Sequence, residues 1–381
     1  MKAADHRSTR KNRLTLCPET ALIEPDHLIC SIHAAAQATA IKLWENLMTL
    51  IQKLLGASAA LALSAGAVLA EPALIYDLGG KFDKSFNEAA FNGAERWAKE
   101  TGGTYREIEL QSEAQREQAL RRFAEAGANP VVTTGFAIAS SIEEVAKDYP
   151  DTKFVNIDGW LPEIPANVQL IAFQEHQGSY LVGMMAAMAT KTGTVGFIGG
   201  MDVPLIRHFG CGFAQGAKSV NADINIVANM TGTTPTAWND PVKGSELAKA
   251  QISQGADVIY AAAGGTGVGV LQTAADEGIL SIGVDSNQNH LHSGKVLTSM
   301  LKRVDVAVYN AMTAGEGLET GGMTVLGLAE DGVGVAMDEH NAALVTAEMT
   351  AAVEEARAQI IAGDLNVVSY YENDSCPAIQ F

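Results

Sequence analysis

The sequence is poor in positive charge. Its 26 lysine and arginine residues are outnumbered by 44 aspartate and glutamate residues, and the formal net charge at pH 7 is −18. Proteins that bind nucleic acid without sequence preference carry basic faces, so this composition argues against a nucleic-acid partner. Charged residues are also scarce overall, at 18%, whereas hydrophobic residues make up 47%. That balance predicts a well-packed globular protein rather than a disordered chain.

The sequence also lacks the short motifs of several nucleotide-binding and hydrolytic enzymes. It contains neither G-x-S-x-G nor H-E-x-x-H. In the glycine-rich stretch 264–270, Val270 stands where a dinucleotide-binding G-x-G-x-x-G needs its third glycine. Ala217 separates Gly216 from Lys218, so the G-K-[ST] of a phosphate loop is not formed either. We therefore expect no cofactor.

Histidine and cysteine are too sparse to indicate a metal or a nucleophile. His290 and His292 form an H-x-H pair without a third ligand, which is typical of solvated loop histidines. His208 and Cys211 lie close in sequence, but no third member of a catalytic group is visible. We expect neither a metal site nor catalysis. Cys211 and Cys376 lie after the signal peptide described below, and the sequence leaves open whether they form a disulfide or remain two free thiols.

The sequence has no convincing membrane span. The apolar run that begins at Leu54 is too short, and too rich in alanine and glycine, to cross a bilayer. Lys53 precedes it and Ala70 closes it, the layout of a secretory signal peptide. We therefore expect residues 48–70 to be a signal peptide cleaved after Ala70, and the mature protein to be periplasmic. Cysteine is absent from the cleavage site, so we expect no lipid anchor.

Residues 1–47 fit neither the signal peptide nor the globular part. They mix charges, two cysteines and three histidines without a clear period. Our hypothesis is that they are a non-native upstream extension and that Met48 is the biological start.

Short apolar runs alternate with helical patterns through the rest of the chain. One series of strand, loop and helix ends in "FVNIDG" at Asp158, and a second series of the same plan ends in "LSIGVDS" at Asp285. Such alternation indicates parallel sheets with helices on both faces. The sequence therefore predicts an α/β protein of two similar doubly wound lobes, with the segment after Leu301 crossing between them.

The loops at the strand ends hold aromatic, acidic and amide side chains. The clearest example is "KFDKSFNEAAFNGA", residues 81–94, which follows the first strand and leads into a helix. Ligands of open α/β sheets bind outside the carboxyl ends of the strands. Aromatic rings can enclose a flat ligand there, and carboxylates can accept hydrogen bonds from amino or hydroxyl groups. These loops therefore predict a small-molecule site.

With these features together, the chain resembles the basic membrane protein family, the substrate-binding proteins of ABC importers that include the purine nucleoside receptor. The motifs that carry the resemblance occur in order along the mature chain, from residue 82 to residue 305. They are "FDKSFN" (82–87), "FVNIDG" (154–159), "FQEHQGSYLVGMMA" (173–186), "GFIGGMDVPLIRHFGCGF" (196–213), "WNDPVKGSELA" (238–248) and "GVDSNQ…VLTSMLKRVD" (283–305).

The resemblance implies a type I periplasmic-binding fold, with three crossovers and a ligand cleft between lobes. We expect residues 71–174 plus 303–328 to form the N-terminal lobe, and 175–302 plus 329–381 to form the C-terminal lobe. The expected partners are an ABC permease in the inner membrane and a purine ligand: adenosine, guanosine, inosine or adenine. A receptor for another small polar ligand, such as a sugar, is the alternative, and a nucleoside-processing enzyme is a weaker one.

The resemblance also implies roles for residues of the first lobe and for one ring of the second. Phe86 and Phe209 would flank a purine ring, and Asp83 and Asn87 would address its polar edges. Asp158 would lie at the mouth or floor of the cleft. The other candidates at these strand ends are Ser85, Thr134 and Gly135.

In the second lobe, the resemblance assigns Asp285 and Lys302 to the ribose hydroxyls. Gly264 and Gly265 would let the backbone approach the ligand, and Trp238 would form a further wall. The family pattern is broken at Gly210 and Cys211, where bulkier or charged residues are expected. That departure leaves the size of the pocket open.

Each of these residues has a structural alternative that the sequence leaves open. Phe86 and Phe209 could be core residues, and Asp158 could cap a turn. Asp285 could be a helix N-cap, or could pair with Lys302 without any ligand.

Overall fold

The computed structural model describes residue 39, residues 42–50 and residues 70–381. Residues 42–50 are helical and belong to one compact unit, and residues 69–381 belong to another. Most of the proposed extension 1–47, and residues 51–69 of the expected signal peptide, lie outside the described residues. Among the helices that are described, none has the length and apolar character needed to cross a membrane.

Within residues 70–381, twelve strands form two six-stranded sheets. The strands are β1 (Ala73–Tyr76), β2 (Arg106–Glu109), β3 (Val131–Thr134), β4 (Phe154–Ile157), β5 (Val168–Phe173), β6 (Thr194–Met201), β7 (Asn225–Gly232), β8 (Val258–Ala262), β9 (Leu280–Asp285), β10 (Val296–Lys302), β11 (Gly322–Leu326) and β12 (Val333–Val335).

Helices alternate with these strands along the chain. They are α1 (Phe86–Thr101), α2 (Gln115–Glu125), α3 (Ala139–Asp148), α4 (Glu175–Ala189), α5 (Pro204–Val220), α6 (Pro241–Ser253), α7 (Thr266–Asp276), α8 (Val304–Ala314) and α9 (Ala347–Ala362), with short 3₁₀ turns between some of them.

The two sheets have the same strand order. The first is β2–β1–β3–β4–β5–β11 and the second is β7–β6–β8–β9–β10–β12, with β10–β12 antiparallel and the other pairs parallel. Every residue of β1, β3, β4 and β8 is buried, as expected for parallel strands covered on both faces. The chain passes between the sheets three times, after β5, β10 and β11. This confirms the predicted α/β fold of two similar lobes; the exact lobe boundaries stay a prediction.

Close packing of α4 against α5 fixes the helix that carries Phe209. A Cβ atom at Gly212 would lie 2.2 Å from the carbonyl oxygen of His176, and one at Gly216 would lie 1.9 Å from that of Tyr180. Contacts that short are forbidden, so only glycine lets the two backbones meet here. The glycines of "FGCGFAQG" therefore set the position of α5 beside the sheet.

A disulfide joins Cys211 of α5 to Cys376 in the C-terminal segment, with the two Cα atoms 5.5 Å apart. The sequence left this pairing open, because 165 residues separate the two cysteines and their distance in space depends on the whole fold. The bridge fastens the end of the chain to the second lobe.

We expect Cys376→Ser to lower the free energy of unfolding by about 2–5 kcal/mol, because the bridge restricts a long loop of the unfolded chain. Urea unfolding of variant and wild type measures the difference. A reducing agent should lower the stability of the wild type to a similar extent and leave the variant unchanged. Equal stabilities of the oxidised wild type and the variant would contradict the prediction.

Candidate functional site

A cleft lies between the carboxyl ends of the strands of the two sheets. Residues of both sheets and of the helices that follow them line it. They are Asp77, Leu78, Gly79, Asp83, Phe86, Asn87, Gly135, Phe136, Asp158, Leu205, Ile206, Phe209, Trp238, Ala262, Gly264, Val284, Asp285 and Lys302.

Asp83 holds the start of α1. Its carboxylate accepts hydrogen bonds from the backbone N–H groups of Ser85, Asn87 and Glu88, at 2.8, 3.1 and 3.1 Å. These are N–H groups of the first helical turn, which lack partners within the helix and attract negative charge. Burial raises the pKa of Asp83 to about 7, although the three hydrogen bonds oppose the rise. Asp83 lines the cleft, and its bonds orient the turn that carries Phe86.

Asn87 is largely occupied by bonds within the protein. Its side-chain Nδ2 donates to the carbonyl oxygens of Asp77 and Gly80, both at 3.2 Å, and its Oδ1 accepts from the Thr134 hydroxyl at 2.8 Å. Both amide protons are therefore used, which leaves one acceptor position for a ligand. Thr134 is fully buried and lies behind the lining.

Four aromatic rings line the cleft, and three of them, Phe86, Phe209 and Trp238, were predicted from the sequence. Phe86 belongs to α1 of the first lobe, whereas Phe209 belongs to α5 of the second. The Nζ atom of Lys302 lies 5.1 Å from the centroid of the Phe86 ring and 5.4 Å from that of Phe209. Trp238 packs on Gly200, where a Cβ atom would lie 2.1 Å from the indole ring. Rings contributed by both lobes suit a flat, apolar ligand body.

A buried ion cluster closes one end of the cleft. The Lys302 Nζ atom lies 2.6 Å from Asp158 Oδ2 and 2.9 Å from Glu175 Oε1. Burial lowers the pKa of Lys302, but the neighbouring carboxylates, Asp158 foremost, raise it by more. Burial raises the pKa of both Asp158 and Glu175, against the opposing charge of Lys302. Lys302 ends β10 and Glu175 begins α4, so the cluster joins two of the three crossovers.

Asp158 and Asp285 occupy matching places in the two lobes. Asp158 follows β4 and Asp285 ends β9, the corresponding strand of the second sheet. Both have a left-handed backbone, with φ values of 69° and 63°. Non-glycine residues adopt this conformation at a cost, and it recurs at ligand sites. Burial raises the pKa of Asp285 to about 6, opposed by Lys302 and by a hydrogen bond from the Ser85 hydroxyl.

Direct hydrogen bonds connect the two lobes beside the cleft. The Ser85 hydroxyl donates to Asp285, and the Ser286 hydroxyl donates to the carbonyl oxygen of Ser85 at 2.8 Å. Gln288 Nε2 donates to the carbonyl oxygen of Lys84 at 2.9 Å. The loop before α1 is therefore bonded to the segment after β9, which holds the lobes together on this side.

The structure brings ten of the thirteen predicted ligand-binding residues into the lining of the cleft. The other three lie just behind it: Ser85 is fully buried and bonds to Asp285, Thr134 bonds to Asn87, and Gly265 lies against the Trp238 carbonyl. Contact of each of the thirteen with a ligand stays a prediction. The Asp285–Lys302 ion pair, which the sequence left open as a structural alternative, is not formed; Lys302 pairs with Asp158 and Glu175 instead.

Two acidic residues of the site were missed by the sequence analysis. Asp77 receives two hydrogen bonds from the Arg116 guanidinium, at 3.1 and 3.2 Å, and both side chains are buried. Arg116 stands in a polar helical pattern, which gives no sign of such a pair. Glu175 could have been noticed, because it is the one carboxylate of a glycine-punctuated helix whose later turns are mainly apolar. Further lining residues that were missed are Leu78, Gly79, Phe136, Leu205, Ile206, Ala262 and Val284.

Within the described part of the chain, no group of three or more His, Cys, Asp or Glu side chains is arranged to hold a metal ion. The lining of the cleft offers aromatic rings, carboxylates and one lysine, which can bind a ligand through stacking and hydrogen bonds.

Two α/β lobes joined by three crossovers, with a cleft between them, are an architecture that solute-binding proteins of ABC transporters adopt. A solved structure of such a protein from Aeropyrum pernix superposes on this chain with a TM-score of 0.73. The two chains are 29% identical, and the match covers 80% of this chain and 95% of the other.

The chain belongs to the PnrA-like family of ABC transporter substrate-binding proteins, whose family model matches residues 73–367. The CD4+ T-cell-stimulating antigen of Listeria monocytogenes is 33% identical, over 77% of this chain and 87% of its own length. The ABC transporter nucleoside-binding protein BmpA of Lactococcus lactis is 32% identical, over 78% and 88%. The family predicted from the motifs is thereby confirmed, and its members are binding components of transporters rather than enzymes.

Proposed function

We propose that this protein binds a purine nucleoside or purine base in the cleft and delivers it to an ABC permease of the inner membrane. The observation that carries the proposal is the placement of Phe86 and Phe209, from opposite lobes, around the same buried Lys302 ammonium. The name of the Lactococcus lactis relative, a nucleoside-binding protein, supports the same ligand class.

In this proposal the purine ring lies between the aromatic walls and the ribose points to the charged end. Asp285 accepts hydrogen bonds from ribose hydroxyls, and the Lys302 ammonium donates to them. The bonds of Ser85 and Ser286 across the lobes stabilise the closed state that the permease recognises.

Calorimetric titration of the chain from Glu71 onward tests the ligand. Adenosine, guanosine, inosine, adenine and ribose are titrated in parallel, and we expect at least one of the four purines to bind more tightly than ribose. Failure of every purine to bind refutes the proposal, and binding of ribose alone would identify a sugar receptor. Release of free ribose from a nucleoside would identify an enzyme instead.

Nucleoside affinity should fall in acid because of Asp285. Its pKa is raised to about 6 by burial, so the carboxylate is ionised at neutral pH and gains a proton below about pH 6. The protonated form accepts fewer hydrogen bonds from a diol, so the dissociation constant should rise as the pH falls through this range. Asp285→Asn should bind weakly at all pH values and show a flatter profile. A wild-type affinity that is constant between about pH 5 and pH 8 would contradict the prediction.

We further propose that the protein is exported and that the signal peptide is cleaved after Ala70, without a lipid anchor. The Cys211–Cys376 disulfide supports export, because such bonds persist in oxidising compartments. N-terminal sequencing of the exported protein tests the proposal: Glu71 is the expected first residue. A mature N-terminus upstream of Met48 would refute it, together with the proposed start at Met48.

A further inference from the structure

A second cavity, of about 870 Å³, lies beside the crossovers. Its walls come from the first crossover, from β11 and from the C-terminal segment that follows α9, including Tyr371 and Asp374. We call it the hinge cavity. Asp158 and Leu205 line both the hinge cavity and the nucleoside cleft, so the two spaces are neighbours.

Buried polar atoms of the hinge cavity are left without hydrogen bonds. These are Asp158 Oδ1, Glu175 Oε2 and His176 Nδ1, none of which has a hydrogen-bond partner among the described residues. His208 Nε2 comes within 3.8 Å of Glu175 Oε2, which is too far for a hydrogen bond. The side chains of Asp158 and Glu175 are 5% and 1% exposed, and His176 is 7% exposed. Buried polar groups are normally satisfied, so such a cluster at the wall of a cavity indicates a missing partner.

The unsatisfied atoms need a partner that donates hydrogen bonds and carries positive charge. Aspartate and glutamate are the charged residues of the cavity wall, and neither lysine nor arginine is among its described lining residues. Burial lowers the pKa of His176 to about 4 and the pKa of His208 as well, so both imidazoles are neutral at neutral pH. Lys302 supplies one positive charge to two carboxylates, Asp158 and Glu175. An occupant that donates hydrogen bonds and carries positive charge would complete the set.

Aromatic groups stand beside these carboxylates. The Tyr371 ring lies 4.5 Å from the His208 ring, centroid to centroid, at an interplanar angle of 30°. Trp160 and Phe173 also line the cavity, and the Trp160 side chain is 69% exposed. Aromatic faces attract cations and cover the apolar part of a ligand.

We propose that the hinge cavity is a second ligand site, for a small organic amine. Its ammonium group donates hydrogen bonds to Glu175 and Asp158, and its apolar part lies against Trp160 and Tyr371. This site is distinct from the nucleoside cleft and does not depend on the ligand proposed there. Because the amine shares Asp158 with Lys302, binding at one site changes the affinity of the other by the same factor.

Calorimetry at neutral pH with benzylamine and benzyl alcohol tests the site. The two probes have the same ring, but only benzylamine is protonated. We expect benzylamine to bind about tenfold more tightly or better, as charge-assisted hydrogen bonds to buried carboxylates would give. Glu175→Gln keeps the shape of the side chain and should abolish that preference. Equal binding of the two probes, or no binding of benzylamine, overturns the proposal.

Matched variants locate the binding. Trp160→Ala should weaken benzylamine binding, whereas Phe82→Ala should not, although Phe82 is also an exposed ring, at 61%. Equal effects of the two substitutions overturn the proposal. Adenosine titrated into separate samples without benzylamine separates this inference from the proposed function: benzylamine binding with no purine binding refutes only the nucleoside, and the reverse refutes only the amine.

Discussion

Phe209→Ala should weaken purine binding by roughly tenfold to a hundredfold, the usual effect of removing one aromatic ring from a stacked base. Phe209 reaches the cleft from α5, and its ring faces the Lys302 ammonium together with that of Phe86. Removing the ring takes away one apolar wall, whereas the polar groups of Asp285 and Lys302 stay in place. Calorimetric titration with the best purine ligand of the wild type measures the loss.

The same helix offers a matched control. Phe213 lies one turn further along α5, is fully buried, and packs 5.4 Å from the Tyr260 ring without lining the cleft. Phe213→Ala should lower the free energy of unfolding by about 3–5 kcal/mol through the cavity it leaves. It should keep nucleoside affinity near that of the wild type where the protein remains folded. Wild-type affinity in Phe209→Ala, or equal losses of affinity in both variants, would remove Phe209 from the site.

The fold could be predicted because its main signal is local and repeated. Buried runs such as "ALIY" and "VIYAA" are separated by helical patterns, and parallel sheets follow from that alternation. The corresponding positions of Asp158 and Asp285 in the two lobes could also be predicted, since each residue ends the fourth strand-like run of its series. This alternation does not define the exact lobe boundaries, because the segments that cross between the lobes have no distinctive sequence pattern.

The site was only partly predictable, because hydrogen-bond partners depend on contacts distant in sequence. Asp83 and Asn87 are polar strand-end residues, as the prediction required. The sequence could not reveal that Asp83 binds three backbone N–H groups or that both Asn87 amide protons are used. The partners of Lys302 were equally hidden, since Asp158 is 144 residues away in the chain. Residue types and strand ends were thus predictable, whereas the pairing among them was not.

Lys302→Met should lower the free energy of unfolding by about 3–5 kcal/mol at about pH 8, because it leaves two buried carboxylates without a counter-charge. Asp158 and Glu175 are almost fully buried, and Lys302 is the cation that pairs with both. The variant should also bind nucleoside more weakly, since it loses the ammonium at the ribose end of the cleft. Both effects should come from the lost charge and not from a change in packing, because the methionine side chain fills a volume similar to that of lysine.

The loss of stability in Lys302→Met should grow as the pH rises, because Asp158 and Glu175 are buried. Burial raises the pKa of Asp158 and Glu175 above the unfolded values near 4, and Lys302 opposes that rise in the wild type. Without Lys302 the folded state holds more protons than the unfolded chain, so its stability falls as the pH rises through the raised pKa values. The difference between variant and wild type should therefore be small near about pH 5 and largest near about pH 8.

Urea unfolding at several pH values between these limits measures that difference. Arg303→Met is the control, because Arg303 is the next residue and pairs with the partly exposed Asp305 at 2.9 Å. Such a pair contributes about 0–1 kcal/mol, so its difference curve should be small and flat. A flat curve for Lys302→Met would contradict the prediction, since it would mean that Asp158 and Glu175 do not need the lysine charge. A loss of stability that grows with pH only in Lys302→Met would establish that this single cation stabilises the junction of two crossovers and the end of β4.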